Sequence, residues 1–155
     1  MNYDKIIYYE DCFFAIIALI FLLIAIYDIV KILRQIRIMG HANDANNPQI
    51  KYKSGLLKIR IGEIFTIAQF ETYSIFNLTH SFNFYFIIAM GILAVVFLII
   101  GIRELYKLQS LSNIPFKKEE KILSLVCLFS SGIFLFIHVV GSIIVRIQLK
   151  SLMNM

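Results

Sequence analysis

The sequence contains few of the residues on which soluble enzymes depend. Only 16% of its 155 residues are charged, whereas 59% are hydrophobic and the mean hydropathy is +0.79. A soluble domain is nearer half apolar and a quarter charged, so this composition excludes an ordinary soluble protein and indicates a membrane protein. No phosphate-binding glycine loop, serine nucleophile elbow or Cys-x-x-Cys pair occurs. We therefore predict a non-enzymatic protein without catalytic residues or cofactors.

Cysteine and histidine are too sparse for redox or metal chemistry. The two cysteines, Cys12 and Cys127, lie near the ends of different apolar segments. In the topology argued below the two thiols lie at opposite sides of the membrane, which excludes a disulfide within one chain. The three histidines, His41, His80 and His138, lack the spacing of metal ligands. The sequence therefore predicts no metal site.

Length and hydropathy predict a single membrane domain over residues 1–155. Three segments, at about 12–33, 82–101 and 122–145, contain the roughly 20 mostly apolar residues that a transmembrane helix needs. A fourth segment, 60–78, is long enough to cross a bilayer but carries several polar side chains. We predict that it crosses as well, which makes the protein an all-α, four-transmembrane-helix bundle.

The distribution of positive charge predicts the orientation of this bundle. Twelve of the 15 basic residues lie in the segments 31–60 and 102–121, and basic residues mark cytoplasmic loops. Both segments face the cytoplasm, with both termini outside, only if 60–78 crosses the membrane. The excess of Ile, Lys and Asn is typical of an AT-rich genome and favours a bacterial inner membrane. The predicted cytoplasmic basic face consists of Lys31, Arg34, Arg37, Lys51, Lys53, Lys58, Arg60, Arg103, Lys107, Lys117, Lys118 and Lys121.

Polar side chains in two of the predicted spans favour burial inside the bundle. Those of 60–78 fall largely on one helical face, and those of 122–145 follow a seven-residue repeat. Polar groups are costly in lipid, so these faces belong against other helices. The predicted polar seam comprises Ser124, Ser131 and Ser142 of the last span with Glu63, Thr66, Ser74 and Asn77 of the second.

A pair of titratable residues is the sharpest functional hypothesis. Glu71 and His138 lie at similar depths of their spans, and a buried carboxylate needs a partner. The pair would be either a site that responds to protons or a ligand, or a structural contact that fixes helix register. We also predict that the acidic side chain of Asp28 lies at the inner edge of the first span.

These features predict a homo-oligomeric, non-enzymatic sensor or scaffold in the membrane. Its expected partners are the lipid bilayer, copies of itself, and a cytosolic protein or anionic lipid that meets the basic face; no direct nucleic-acid partner is expected. The membrane component of a bacterial phage-defence system fits this build. The alternatives are an immunity protein against a toxin, an ion-conducting bundle, or a four-span enzyme that handles glutathione or lipids.

The last alternative rests on a resemblance. In length and predicted four-span topology the chain resembles the membrane-associated proteins of eicosanoid and glutathione metabolism. The resemblance implies external chain ends and a trimeric assembly. That family opens its second span with Arg, followed by Asn four residues on and Glu seven residues on. Here Arg60 is followed by Ile64 and Ile67, so the likeness covers topology and not the motif.

Overall fold

In the computed structural model the chain forms four α-helices: α1 (Tyr3–Gly40), α2 (Pro48–Thr79), α3 (Phe84–Ser112) and α4 (Lys118–Met153). The structure describes the backbone of residues 3–40, 47–79, 84–112 and 114–153. Within these ranges it describes the side chains of 12, 13, 16–39, 47–73, 85–112, 114–144, 147 and 148. No strand occurs in these ranges, which confirms the predicted all-α class.

Three of the helices contain segments that are long and apolar enough to cross a membrane, namely Ile16–Met39, Tyr85–Ser112 and Lys118–Ile144. Large apolar side chains on these helices point outward; Phe21 is 58% exposed and Phe136 is 69% exposed. Such surfaces are costly in water and suit contact with acyl chains. As far as the structure is described, α2 does not meet the same criterion, because its middle carries charged and polar residues.

The two prolines lie at or just before the starts of helices. Pro48 is the first residue of α2, where its missing amide hydrogen costs no hydrogen bond. The Asn47 side chain caps this helix, because its Oδ1 accepts a hydrogen bond of 2.9 Å from the Gln49 amide. Pro115 lies in the segment between α3 and α4, three residues before α4 begins at Lys118.

α2 lies at the centre of the bundle and runs antiparallel to α3. A glycine brings the backbones together at two depths: Gly101 lies against Ile59 of α2, and Gly91 lies against Gln69. Because the absent side chains leave no bulk between the helices, the backbones approach closely. The register shows that α2 follows the candidate span Tyr85–Ser112 over at least its Ile59–Gln69 portion.

The outer helices α1 and α4 flank α2. In the described part of the chain α1 packs on α2 alone, whereas α4 packs on both α3 and α2. α4 runs parallel to α2, because Tyr52 contacts Glu120 and, further along both helices, Gln69 contacts Ser131. The end of α1, the start of α2, the end of α3 and the start of α4 therefore meet at one end of the bundle.

This end, which we call the basic end, contains a buried apolar cluster. Ile59, Leu98, Leu105 and Phe116 form a buried cluster there, with each side chain at most 7% exposed. Phe116 enters the core from the segment between α3 and α4 and so fixes the start of α4 against the other helices. The charged side chains at the basic end therefore surround a buried apolar cluster that holds the helices together.

Candidate functional site

Polar residues at three-residue intervals along α2 form a buried row, which consists of Arg60, Glu63, Thr66 and Gln69. Glu63 and Thr66 are 5% and 4% exposed, and Gln69 is fully buried. Successive members of the row point about 60° apart, so the row winds around α2 from the α1 side at Arg60 to the α3 and α4 side at Gln69. The row starts at the basic end and continues toward the middle of the bundle.

An ion-pair cluster joins α1 to the start of this row. The Arg60 Nη1 atom donates a 2.7 Å hydrogen bond to Glu63 Oε2, and Arg60 Nε lies 3.7 Å from Asp28 Oδ2. Arg60 was predicted to belong to the cytoplasmic basic face, and its side chain is only 17% exposed there. This burial has a simple cause: a buried guanidinium requires acids, and Asp28 and Glu63 both lie against it.

Two further polar contacts link α2 to its neighbours at the basic end. Lys58 forms an ion pair with Glu104 of α3, so it too is partly withdrawn from the predicted basic face. The Tyr52 hydroxyl donates a 3.0 Å hydrogen bond to Glu120 Oε2 of α4. Partial burial, the nearby Glu120 charge and this hydrogen bond raise the pKa of Tyr52 to about 12.

A second polar contact between helices lies deeper in the bundle. The Ser131 hydroxyl donates a 2.6 Å hydrogen bond to Gln69 Oε1, and both residues are fully buried. Gly91 leaves room for this amide, since a Cβ at that position would lie 2.5 Å from Gln69 Nε2. The Ser131 hydroxyl therefore links α4 to α2 instead of bonding to a carbonyl of its own helix.

The other members of the predicted polar seam act within single helices. The hydroxyls of Ser124 and Ser142 donate to the carbonyls of Lys121 and Val139, three residues earlier, and Thr66 donates to Gly62 O, four residues earlier. Such bonds satisfy a hydroxyl in an apolar setting without joining helices. Ser74 and Asn77 also lie in α2, but their side chains fall outside the described residues.

The predicted contact between Glu71 and His138 is not formed. His138 Nδ1 lies 2.9 Å from the Phe134 carbonyl oxygen, and its ring meets the Tyr73 ring edge to face at a centroid distance of 5.5 Å. Tyr73 is two residues from Glu71, so the predicted depth is nearly correct. Two residues turn a helix by 200°, however, and Glu71 therefore points to another side of α2.

Glu71 instead lines a cleft between α1 and α4, for which α2 forms the floor. This α1–α4 cleft has a volume of about 630 Å³. Two buried carboxylate oxygens on its lining, Glu63 Oε1 and Glu71 Oε1, have no hydrogen-bond partner in the described part of the chain. The cleft is lined by Ile17, Ala18, Phe21, Ile24, Ala25 and Asp28 of α1, by Arg60, Glu63, Thr66, Ile67, Phe70 and Glu71 of α2, and by Leu123 and Cys127 of α4.

The cleft does not have the composition of a metal site. Among the side chains that the structure describes, no three His, Cys, Asp or Glu residues lie close enough together to hold a metal ion. Cys12 and Cys127 are both free thiols. What the arrangement offers is an apolar cavity with an excess of hydrogen-bond acceptors.

Sequence reasoning missed Gln69, Tyr52 and the cleft. Gln69 follows Thr66 by three residues and so continues the row from Glu63, a signal that was present in the spacing. Tyr52 and its partner Glu120 gave no such signal, because their contact depends on α4 running parallel to α2. Comparison of the chain with protein-family models, with curated proteins and with solved structures finds no significant match.

Proposed function

We propose that the protein is a four-span, homo-oligomeric sensor or scaffold of the bacterial inner membrane, with both termini outside and the basic end in the cytoplasm. It acts without catalysis by presenting the basic end to a cytosolic protein or to anionic lipid. Among roles of this type, we assign it to the membrane component of a phage-defence system. A gene for a cytosolic defence protein next to this one would support that role, whereas a neighbouring toxin gene would favour immunity.

The antiparallel register of α2 and α3 supports four spans. Because Ile59 lies against Gly101 and Gln69 against Gly91, α2 accompanies the apolar span of α3 across much of its length. A helix that lay flat on the membrane surface could not keep this register with a crossing helix. The buried polar row also supports insertion, since its members are largely buried and two of them contact neighbouring helices: Arg60 lies near Asp28 of α1, and Gln69 is bonded to Ser131 of α4.

The charge at the basic end is the observation that carries the proposed function. Even with Arg60 and Lys58 engaged in ion pairs, a broad set of basic side chains remains exposed at this end. Each is worth about 1 kcal/mol near an anionic membrane surface. The exposed members are Lys31, Arg34, Arg37, Lys51, Arg103, Lys107, Lys117 and Lys118.

Surface glycines of α4 support the homo-oligomer. A Cβ added to Gly132 or Gly141 would meet no atom within 4 Å, so neither glycine is needed for packing within the described chain. Small residues let helices of different copies approach closely in a membrane. The mass of the complex in nanodiscs should exceed that of one 18.0 kDa chain and should fall when Gly132 is replaced by Leu.

Non-catalytic action is supported by how the polar side chains are used. Ser131 is committed to Gln69, and His138 interacts with the Phe134 carbonyl and neighbouring rings.

Topology and the basic surface can be tested separately. Single cysteines at positions 45 and 113 should react with an impermeant maleimide only in inverted vesicles, and cysteines at positions 2 and 80 only in intact cells. Labelling of position 45 in intact cells would refute the orientation. Replacing Lys117 and Lys118 with Gln should reduce co-purified phosphatidylglycerol or a photo-crosslinked partner. The same changes at Arg146 and Lys150, which follow the last candidate span, should not.

A further inference from the structure

We propose that the α1–α4 cleft binds a membrane-soluble organic amine, with an apolar body and one protonated nitrogen. The cleft volume of about 630 Å³ is in the range of small-molecule sites, about 300–1,000 Å³. This inference requires α2 to be inserted in the membrane. It does not depend on what the basic end recruits, and the labelling experiment above tests insertion on its own.

The charges on the cleft lining determine the ligand's polarity. Three carboxyl groups, from Asp28, Glu63 and Glu71, line the cleft, and a single cation, Arg60, faces them. Arg60 is already engaged by Glu63 at 2.7 Å and by Asp28 at 3.7 Å. In the described part of the chain Glu71 has no cationic partner, so acidic side chains outnumber basic ones on the cleft lining by three to one.

The unpaired atoms determine the ligand's hydrogen-bonding character. Glu63 is 5% exposed, and its Oε1 atom is buried without a partner while its Oε2 binds Arg60. Glu71 Oε1 is also buried without a partner. Both atoms are acceptors, and a buried acceptor without a donor is costly. The third unpaired atom on the lining, Arg60 Nε, is a donor that lies 3.7 Å from Asp28 Oδ2, so unpaired acceptors remain in excess. A protonated amine supplies donors and positive charge together, whereas an anion would be repelled and a hydrocarbon would leave both oxygens unmatched.

The remainder of the cleft suits an apolar body. Ile17, Phe21 and Ile24 line the α1 side, Ile67 and Phe70 the floor, and Leu123 the α4 side. The two phenylalanine rings can also attract a cation through their faces. Because described α1 residues pack on α2 and not on α4, the cleft opens sideways between α1 and α4. A ligand dissolved in the acyl-chain region could enter without crossing water.

A helix from a second copy of the chain is the competing occupant. The outward faces of the three candidate spans are dominated by large apolar side chains. An apolar helix laid over the cleft would leave both carboxylate oxygens without donors. The charge and the orphan acceptors therefore favour an amine, and the second copy becomes an outcome that the experiment must distinguish.

Binding should be measured with the full chain in phosphatidylcholine nanodiscs, using a dansyl-labelled alkylamine as the probe. The same fluorophore on a fatty acid of equal length is the charge control. We expect saturable binding of the amine, displaced by unlabelled alkylamine, and no saturable binding of the acid. The Glu71→Gln variant should bind the amine about tenfold more weakly or worse, as expected for loss of a hydrogen bond to a charged group. Glu119→Gln, an exposed site outside the cleft, should bind as the wild type does.

A second variant keeps the test decisive if Glu71→Gln fails to fold. Ala18→Phe fills the cleft without touching its acids, and Ala89→Phe adds the same bulk to an exposed position of α3. Only Ala18→Phe should abolish amine binding. Equal binding of amine and acid, or amine binding unchanged by both cleft variants, would overturn the proposal. A complex that dissociates with Ala18→Phe while the wild type binds no amine would assign the cleft to a second copy. Displacement of the probe by phosphatidylethanolamine would reassign the site to a lipid headgroup.

Discussion

Replacing Gly101 by Ala is expected to destabilise the bundle, because the backbones of α2 and α3 lie close together at this glycine. An added Cβ would lie 2.7 Å from Ile59 Cγ1 and 2.9 Å from both the Gly55 carbonyl oxygen and the Ile59 amide nitrogen. Favourable non-bonded contacts lie at about 3.5 Å or more. Two of the three obstructing atoms are backbone, so a change of rotamer cannot relieve the clash and the helices must separate.

The expected cost follows from overpacking. Extra methyl groups in well-packed interiors typically cost about 1–3 kcal/mol, and we expect Gly101→Ala to lower the free energy of unfolding by that amount. Gly132→Ala is the matched control, since it gains the same helix propensity of about 0.5–1 kcal/mol while nothing lies within 4 Å of its Cβ. In micelles that hold one chain each, this variant should be no less stable than the wild type.

Both variants can be compared by titration with sodium dodecyl sulfate in mixed micelles, with loss of helix followed by circular dichroism. The mass of the complex should be measured on the same samples, because Gly132 lies on the proposed oligomer surface. If Gly101→Ala were as stable as Gly132→Ala, the close antiparallel packing of α2 on α3 would be refuted.

Three further predictions concern polar contacts of α2. Arg60→Gln should lower the free energy of unfolding by about 3–5 kcal/mol, because it leaves two carboxylates without their cation. Arg34→Gln, on the exposed surface, should lower it little. Equal losses for the two variants would contradict the ion-pair cluster. Ser131→Ala should cost about 1 kcal/mol, and Ser130→Ala, which only removes bonds to its own helix, should cost less; the reverse order would count against the contact with Gln69. In the pH titration of phenol absorbance, the difference between wild type and Tyr52→Phe should show a midpoint near pH 12, and a midpoint near 10 would disprove the contact with Glu120. Since this pKa is raised in the folded state, its contribution to stability should be complete below pH 10 and should be lost as the pH rises toward 12.

The Glu71 and His138 case illustrates what a sequence can predict about a helical bundle. Counting residues from the basic end gives depth, and the ring of His138 does meet α2 at Tyr73, two residues from the predicted position. The rotation of each helix about its axis decides which side chains meet. That rotation depends on close packing at residues such as Gly91 and Gly101, whose role appears only once α3 is seen against α2.

Three of the helices were predictable because apolar length is a property of the sequence alone, whereas the prediction of a span at 60–78 rested on the distribution of charge. The cleft was not, because it depends on which helices do not touch. Nothing in the spacing of Phe21 or Leu123 indicates that α1 and α4 leave a gap between them. The burial of Arg60 was missed for a related reason. Its position after Lys58 looked like part of a basic loop, and only the approach of Asp28 turns it inward.

The central helix of this bundle, α2, is its least apolar helix. Its polar contacts suggest how binding of a ligand in the cleft could change the arrangement of side chains at the basic end. α1 is attached to α2 alone in the described part of the chain, and Arg60 with Asp28 supplies the ion pair in that attachment. The same two residues line the proposed amine site, and the exposed basic residues of α1 begin at Lys31, one turn further. An amine that neutralises the acids of the cleft would compete with Arg60 for them and so shift the position of α1. In the proposed sensor, that shift moves the basic residues of α1 relative to those of α3. A ligand changes the balance between two such arrangements only if it binds one of them more tightly than the other. Spin labels at positions 34 and 107 should change their separation when the amine saturates the cleft, and an unchanged distance would contradict this coupling.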